Sequence, residues 1–306
     1  MKAHAKLEQA LAAHQQGALD EARALYERVL KWHPNHFDAV HMLGLVAYQQ
    51  GNLDRAALFI SKAIKIDPEV ASAHNNYGNV LQDQRKLTSA LASYERAIAL
   101  DPHYAEAHNN RGDVLQEMGR LSEALGSYAR ALEVSPRYAA AFFNQGNAYG
   151  RQGLWREAIE SYDQALSITP QYPQALMNRG NALVELRDNE SAVQSYASAL
   201  SLDPGIPYLA GTLLHVNMQQ CKWSDYEVRL GALLQDLRAN RPVCLPFPLL
   251  SMTEDSALHR KVAQAWIDSV HSRKRAPWSP VVRPKARKLR IGYFSGDLCN
   301  HPVAYL

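Results

Sequence analysis

Apolar residues recur along the first two-thirds of the chain at steps of three and four, the spacing that gathers them on one face of an α-helix. Ala90, Tyr94, Ala97 and Ile98 make one such stripe. The stripes come two to a unit, and the units repeat. Pro34, Pro68, Pro102, Pro136, Pro170 and Pro204 stand 34 residues apart, and Gly44, Gly78, Gly112, Gly146 and Gly180 keep the same step. So do Ala22, Ala56, Ala90, Ala124, Ala158 and Ala192. An aromatic recurs in phase at Tyr26, Tyr94, Tyr128, Tyr162 and Tyr196, with Ile60 as the exception.

Each recurring residue has a physical task. Gly112 and Ala124 are small where two helices approach closely, and the tyrosine fills the gap between units. Pro136 ends the second helix by excluding Ser135 from the α region. A unit of this size cannot bury its own apolar faces, so neighbours must stack into a superhelix with a long concave groove. The period and motif resemble the tetratricopeptide repeat. Six units follow at 3–36, 37–70, 71–104, 105–138, 139–172 and 173–206. The first is the least regular, with Ala10 in place of the glycine and Val29 in place of an alanine, as expected of a terminal repeat.

Polar residues also keep the period. Asn76, Asn110, Asn144 and Asn178 lie two residues before the glycines, and Met42 breaks the series in the second unit. Three residues further on, along the same helical face, come Asn79, Asp113, Asn147 and Asn181, with Asn75 and Asn109 beside the first row. A carboxamide both donates and accepts, so a ladder of them can bond the backbone of any extended chain without reading its side chains. The eight positions of the two rows of four, without Asn75 and Asn109, are the candidate peptide-binding residues. A second account has the same amides bonding within or between repeats and only holding the superhelix together.

Beyond Pro204 the period ends. The stretches 206–220, 223–239 and 254–270 read as three further helices, with Ser224/Glu227 and Ser251/Glu254 as capping boxes. Between the last two, RPVCLPFPLL is too rich in proline for a helix and is expected to dock as an ordered connection. From Arg273 to Arg290 there are eight Lys or Arg and no acid, which reads as a solvated linker in preference to a phosphate-binding surface. Leu289 to Phe294 suits a buried parallel strand, followed by a polar turn and a helix start near Pro302.

The run R-I-G-Y-F-S-G-D followed by N-H-P, placed after such repeats, looks like the opening of the catalytic domain of protein O-linked N-acetylglucosamine transferases of the SPINDLY-like family. The C-K-W-S-D-Y and L-P-F-P-L-L stretches are similar to its bacterial members. That resemblance implies repeats that feed a protein substrate, partly through an asparagine ladder, into a two-lobed Rossmann-type enzyme whose donor is UDP-N-acetylglucosamine. It makes His301 the candidate catalytic residue, with Ser295 and Asp297 near the cleft, and puts the principal catalytic lysine and the nucleotide-binding residues beyond Leu306.

The expected fold class is therefore all-α: a tetratricopeptide-repeat superhelix, or α-solenoid, over 3–206, a helical extension over 207–272 and a basic linker over 273–287. The start of a truncated α/β, Rossmann-like glycosyltransferase domain, its first strand included, occupies 288–306. The chain by itself is expected to transfer no sugar and to hold no cofactor. A free-standing scaffold joining partner proteins is the alternative.

Charge and cysteines narrow the setting. A formal charge of +3 gives no reason to expect nucleic acid. Cys221, Cys244 and Cys299 are odd in number and widely spaced, which fits a reducing compartment better than a disulfide framework. No apolar stretch is long enough for a membrane span or a leader, so a cytoplasmic protein is expected, with no membrane partner. His33 and His36 flank Pro34 with no further ligand beside them, so no metal is expected. A homodimer through the outer helices is compatible with the pattern.

Overall fold

The computed structural model describes residues 2–270, and among them every regular element is a helix. Six pairs form the array: α1 (Lys2–Gln15) with α2 (Leu19–Trp32), α3 (Phe37–Gln49) with α4 (Leu53–Ile66), and α5 (Ala71–Asp83) with α6 (Leu87–Leu100). They continue as α7 (Ala105–Glu117) with α8 (Leu121–Val134), α9 (Ala139–Arg151) with α10 (Trp155–Ile168), and α11 (Pro173–Glu185) with α12 (Asn189–Leu202). The solenoid expected from the 34-residue step is what the chain forms.

The prolines act as the pattern requires. Asp101, before Pro102, lies at φ −135° and ψ 94°, and Ser135, before Pro136, at φ −130° and ψ 88°, so each second helix stops in extended backbone. The glycine of the first helix seats the tyrosine of its own unit. A Cβ on Gly78 would lie 2.5 Å from Tyr94 Cε1, and one on Gly112 would lie 2.4 Å from Tyr128 Cε1. The tyrosine also reaches the next unit, since Tyr94 shares a core cluster with Val114 and Leu115. Its seat is thus within a unit and its far side between units.

Successive first helices α3, α5, α7, α9 and α11 touch one another directly, whereas second helices meet chiefly the helices adjacent to them in sequence. That asymmetry curves the stack with the first helices on its inner side. The asparagine rows, which lie on those helices, therefore share the inner face.

After the array come α13 (Leu209–Gln219), α14 (Tyr226–Arg238), the short α15 (Pro246–Leu249) and α16 (Ser256–Val270). Leu209, Leu213 and Val216 of α13 join Tyr196 and Ala199 of α12 in one cluster, so α13 covers the last repeat. The docked connection is ordered, as expected, but its end winds into α15, with Cys244 and Leu249 fully buried. The carbonyls of Pro242 and Val243 accept from the backbone N–H groups of Tyr208 and Gly211 at 2.6 and 2.8 Å, which satisfies the start of α13.

Neither expected capping box forms. Asp225 sits at φ 58° immediately before α14, which leaves Ser224 outside the cap position, and α14 has no side-chain cap. At α16 the Asp255 carboxylate takes the role by accepting from Leu258 N–H at 3.0 Å, so Ser251 and Glu254 are not its cap and partner. The basic linker, the strand and helix start of 288–306, and Ser295, Asp297 and His301 all lie outside the described residues.

Candidate functional site

The helical period places Asn76, Asn110, Asn144 and Asn178 at one height on α5, α7, α9 and α11, where all four are half-buried. Each donates its amide N–H to the preceding repeat. Asn110 Nδ2 lies 3.1 Å from Asn75 Oδ1 and 3.2 Å from Asn79 Oδ1. Asn144 donates to Asn109 Oδ1 at 3.1 Å, and Asn178 to Asn147 Oδ1 at 2.8 Å. Asn76 meets His41 Nε2 at 3.1 Å, a contact that needs neutral imidazole, and burial holds the His41 pKa below its usual range. The ladder thus ties repeat to repeat.

The second row has a different first duty. Asn79, Asp113, Asn147 and Asn181 accept the hydroxyls of Tyr94, Tyr128, Tyr162 and Tyr196 at 2.7, 2.8, 2.9 and 2.8 Å. Buried tyrosine hydroxyls require an acceptor, and the residue one helix back supplies it. Burial pushes these four phenols far above their ordinary pKa. Asp113, the one carboxylate of the row, is pushed up to about 6 by burial, against which its bonds from Tyr128 and Asn109 pull downward. Asn79, Asp113 and Asn147 are half-buried, and Asn181 is exposed.

Further polar links between repeats run alongside the ladder, and the sequence reading missed them. Tyr48 donates to Asp83 at 2.8 Å, Gln82 and Arg85 donate to Glu117 at 2.6 Å each, and Arg151 donates to the Gln116 carbonyl at 2.7 Å. Asn75 also donates to Glu106 at 3.0 Å. The signal was present as donors and acceptors at matching positions of adjacent units, a step of about one period apart.

The ladder amides retain unused capacity. Among the described residues, the side-chain carbonyls of Asn76, Asn144 and Asn178 make no hydrogen bond, while that of Asn110 receives a long one, 3.3 Å, from Asn109. An amide also has a second N–H. The inner face is thus a line of fixed, pre-oriented donors and acceptors, able to pair with the backbone groups of an extended chain. Among the described residues no group of three or more His, Cys, Asp or Glu is arranged to hold a metal ion. None of the described helices is long and apolar enough to cross a membrane.

Models of the tetratricopeptide repeat match residues 7–71, 78–119, 103–171 and 143–207. The chain belongs to the tetratricopeptide-repeat proteins, a class of solenoid scaffolds for protein interactions. Among curated proteins none matches the sequence. Among solved structures the chain is similar to MamA, at 27% identity over 53% of this chain and 95% of that one, with a TM-score of 0.49. It is similar to PilW, described as a widely conserved type IV pilus biogenesis factor, at 20% identity over 70% of this chain and 99% of that one, with a TM-score of 0.64. It also resembles pilF of Pseudomonas aeruginosa, at 23% identity over 74% and 95% of the two chains, with a TM-score of 0.60. The last two share the fold, and the likeness extends no further.

Proposed function

We propose that this chain is a protein-binding arm whose inner face holds an extended peptide segment of a partner. The observation that carries the reading is the row Asn76, Asn110, Asn144 and Asn178, each fixed by at least one bond to the preceding repeat and three of them with a carbonyl left unbonded among the described residues. Fixing the amides in advance removes much of the ordering cost of binding, which favours a ligand read through its backbone.

The N110A/N144A/N178A variant tests it. Affinity for peptides selected on the wild-type chain is expected to fall at least about tenfold, the effect of losing a few hydrogen bonds worth about 0.5–1.5 kcal/mol each. The same bonds join repeats, so the melting temperature will fall too, and affinity is measured well below the melt, where both proteins are folded. Unchanged affinity in the triple variant would sink the proposal.

The finer reading is that the bound segments are substrates of a protein O-glycosyltransferase using UDP-N-acetylglucosamine as donor. It is supported by the G-Y-F-S-G-D and N-H-P motifs near His301, which resemble that family's catalytic domain. Translating the reading frame that follows codon 306 tests it. A long continuation carrying a second Rossmann-like lobe is expected, and an immediate stop leaves the stand-alone scaffold.

A further inference from the structure

The inner face changes character between the fourth repeat and the sixth. At the position held by Tyr48, Gln82 and Gln116 in earlier repeats, α9 carries Gly150. A pocket of about 350 Å³ opens there, walled by Gln116, Asn147, Arg151, Trp155, Tyr162 and Asn178. The row of His41, Asn75 and Asn109 likewise gives way to Phe143 and Met177, and Phe143 packs on Tyr172 with ring centres 4.9 Å apart.

Packing does not call for a glycine at 150. A Cβ there would come no closer than 3.5 Å to the Trp155 ring, an ordinary van der Waals contact. Gly146, one turn earlier, is the contrast, because its Cβ would lie 2.6 Å from Tyr162 Cε1. Glycine inside a helix weakens it, so the bare position is a cost that the fold does not require. The exposed glycine at 126 in α8 is equally unforced by packing and lines no part of this pocket.

A second observation points the same way. The side-chain carbonyl of Gln116, a residue of the pocket wall, is buried and has no hydrogen-bond partner among the described residues. A buried acceptor of this kind needs an explanation, and a ligand donor met by a turn of the Gln116 amide about its last side-chain bond supplies one. Arg151, held at the rim by its bond to the Gln116 backbone carbonyl, adds a cation beside any ring that enters.

We propose that this pocket receives an aromatic side chain carrying a hydrogen-bond donor, tyrosine or tryptophan, from the peptide bound along the inner face. The ring packs against Trp155 and Tyr162, and its O–H or N–H donates to Gln116. This rests on the reading of that face as a peptide groove, and it adds a side-chain preference to a ladder that reads only backbone.

The experiment is selection of phage-displayed random dodecapeptides on the full 306-residue chain and on its G150Q variant, which installs the side chain that the third and fourth repeats carry at this position and suits a helix. Circular dichroism confirms that the variant folds. Wild-type selection is expected to enrich tyrosine or tryptophan at one fixed peptide position. Replacing that residue by alanine should weaken binding about tenfold by fluorescence anisotropy, and less than about twofold for G150Q. Equal aromatic enrichment on both proteins, or none on the wild type, overturns the pocket while leaving the groove. A phenylalanine that binds as well as tyrosine overturns the role given to Gln116. If neither protein selects any peptide, the groove reading fails and the pocket falls with it.

Discussion

Asp113 stands where three other repeats carry Asn79, Asn147 and Asn181, and each of the four accepts a tyrosine hydroxyl. Burial lifts its folded-state pKa from 3.8 to about 6. Between those values the folded chain keeps a proton that the unfolded chain has released, so stability falls as pH rises through that window and stays lower above it. Asp113→Asn removes this penalty and keeps the acceptor for Tyr128. At pH 7 the variant is expected to be more stable than wild type by on the order of 1–3 kcal/mol, and the gain should vanish below about pH 4. Urea titrations at the two pH values measure it, and equal stability at both would show the carboxylate to be solvated. The tyrosine pairing itself could have been read from the residues. Where Ile60 replaces the tyrosine, Leu45 replaces the asparagine, which is what a row serving hydroxyls requires. Tyr26, beside Leu11, turns to His14 Nδ1 instead, at 3.5 Å. The spare carbonyls were not legible in this way, because which lone pairs the preceding repeat uses depends on side-chain rotamers.

The turn inside each helix pair requires one residue in the left-handed region. Gly17, Gly51, Gly119 and Gly153 take it at φ between 74° and 78°, whereas Arg85 and Arg187 are forced into it at 62°. These positions follow the 34-residue step, but the two arginines interrupt the glycine series and hide it from a reading by identity alone. Arg85 gains a bond to Glu117 at 2.6 Å, and no ion pair is found for Arg187 among the described residues. Arg187→Gly is therefore expected to stabilise the chain by about 1 kcal/mol, seen as a higher urea midpoint, because a non-glycine residue pays for left-handed backbone. A lower midpoint would mean that Arg187 makes a compensating contact. Helix starts were less legible than helix stops. Proline excludes the α region by steric clash whatever surrounds it, whereas a cap depends on the backbone angle at the capping residue. The left-handed Asp225 is what displaces Ser224.

At the scale of the whole array, each pair rests only on its neighbours, so stability is close to a sum of repeat and interface contributions, and a local defect need not spread. Gly112 lies in the fourth of the six pairs, and its replacement by alanine would put a methyl 2.4 Å from Tyr128 Cε1. The ring cannot yield easily, because its hydroxyl is held by Asp113 and its body is wholly buried. Overpacking of this kind costs about 1–3 kcal/mol. Placed mid-array, it should weaken the junction more than it weakens either end. Hydrogen exchange is then expected to resolve two blocks, α1–α6 and α9–α16, opening with different free energies, while urea unfolding broadens or splits. The second block should be the more persistent, because α13 covers Tyr196 and Ala199 of the last repeat and α14 to α16 cover α13 in turn. The first block ends on α1, whose core contribution is the small set Leu7, Ala10 and Ala13. A single sharp transition with uniform loss of protection would show instead that the six repeats and the extension unfold as one cooperative body. In that case the groove's geometry is set by the array as a whole, and a ligand bound at the α9 pocket would stabilise α1 as much as α11.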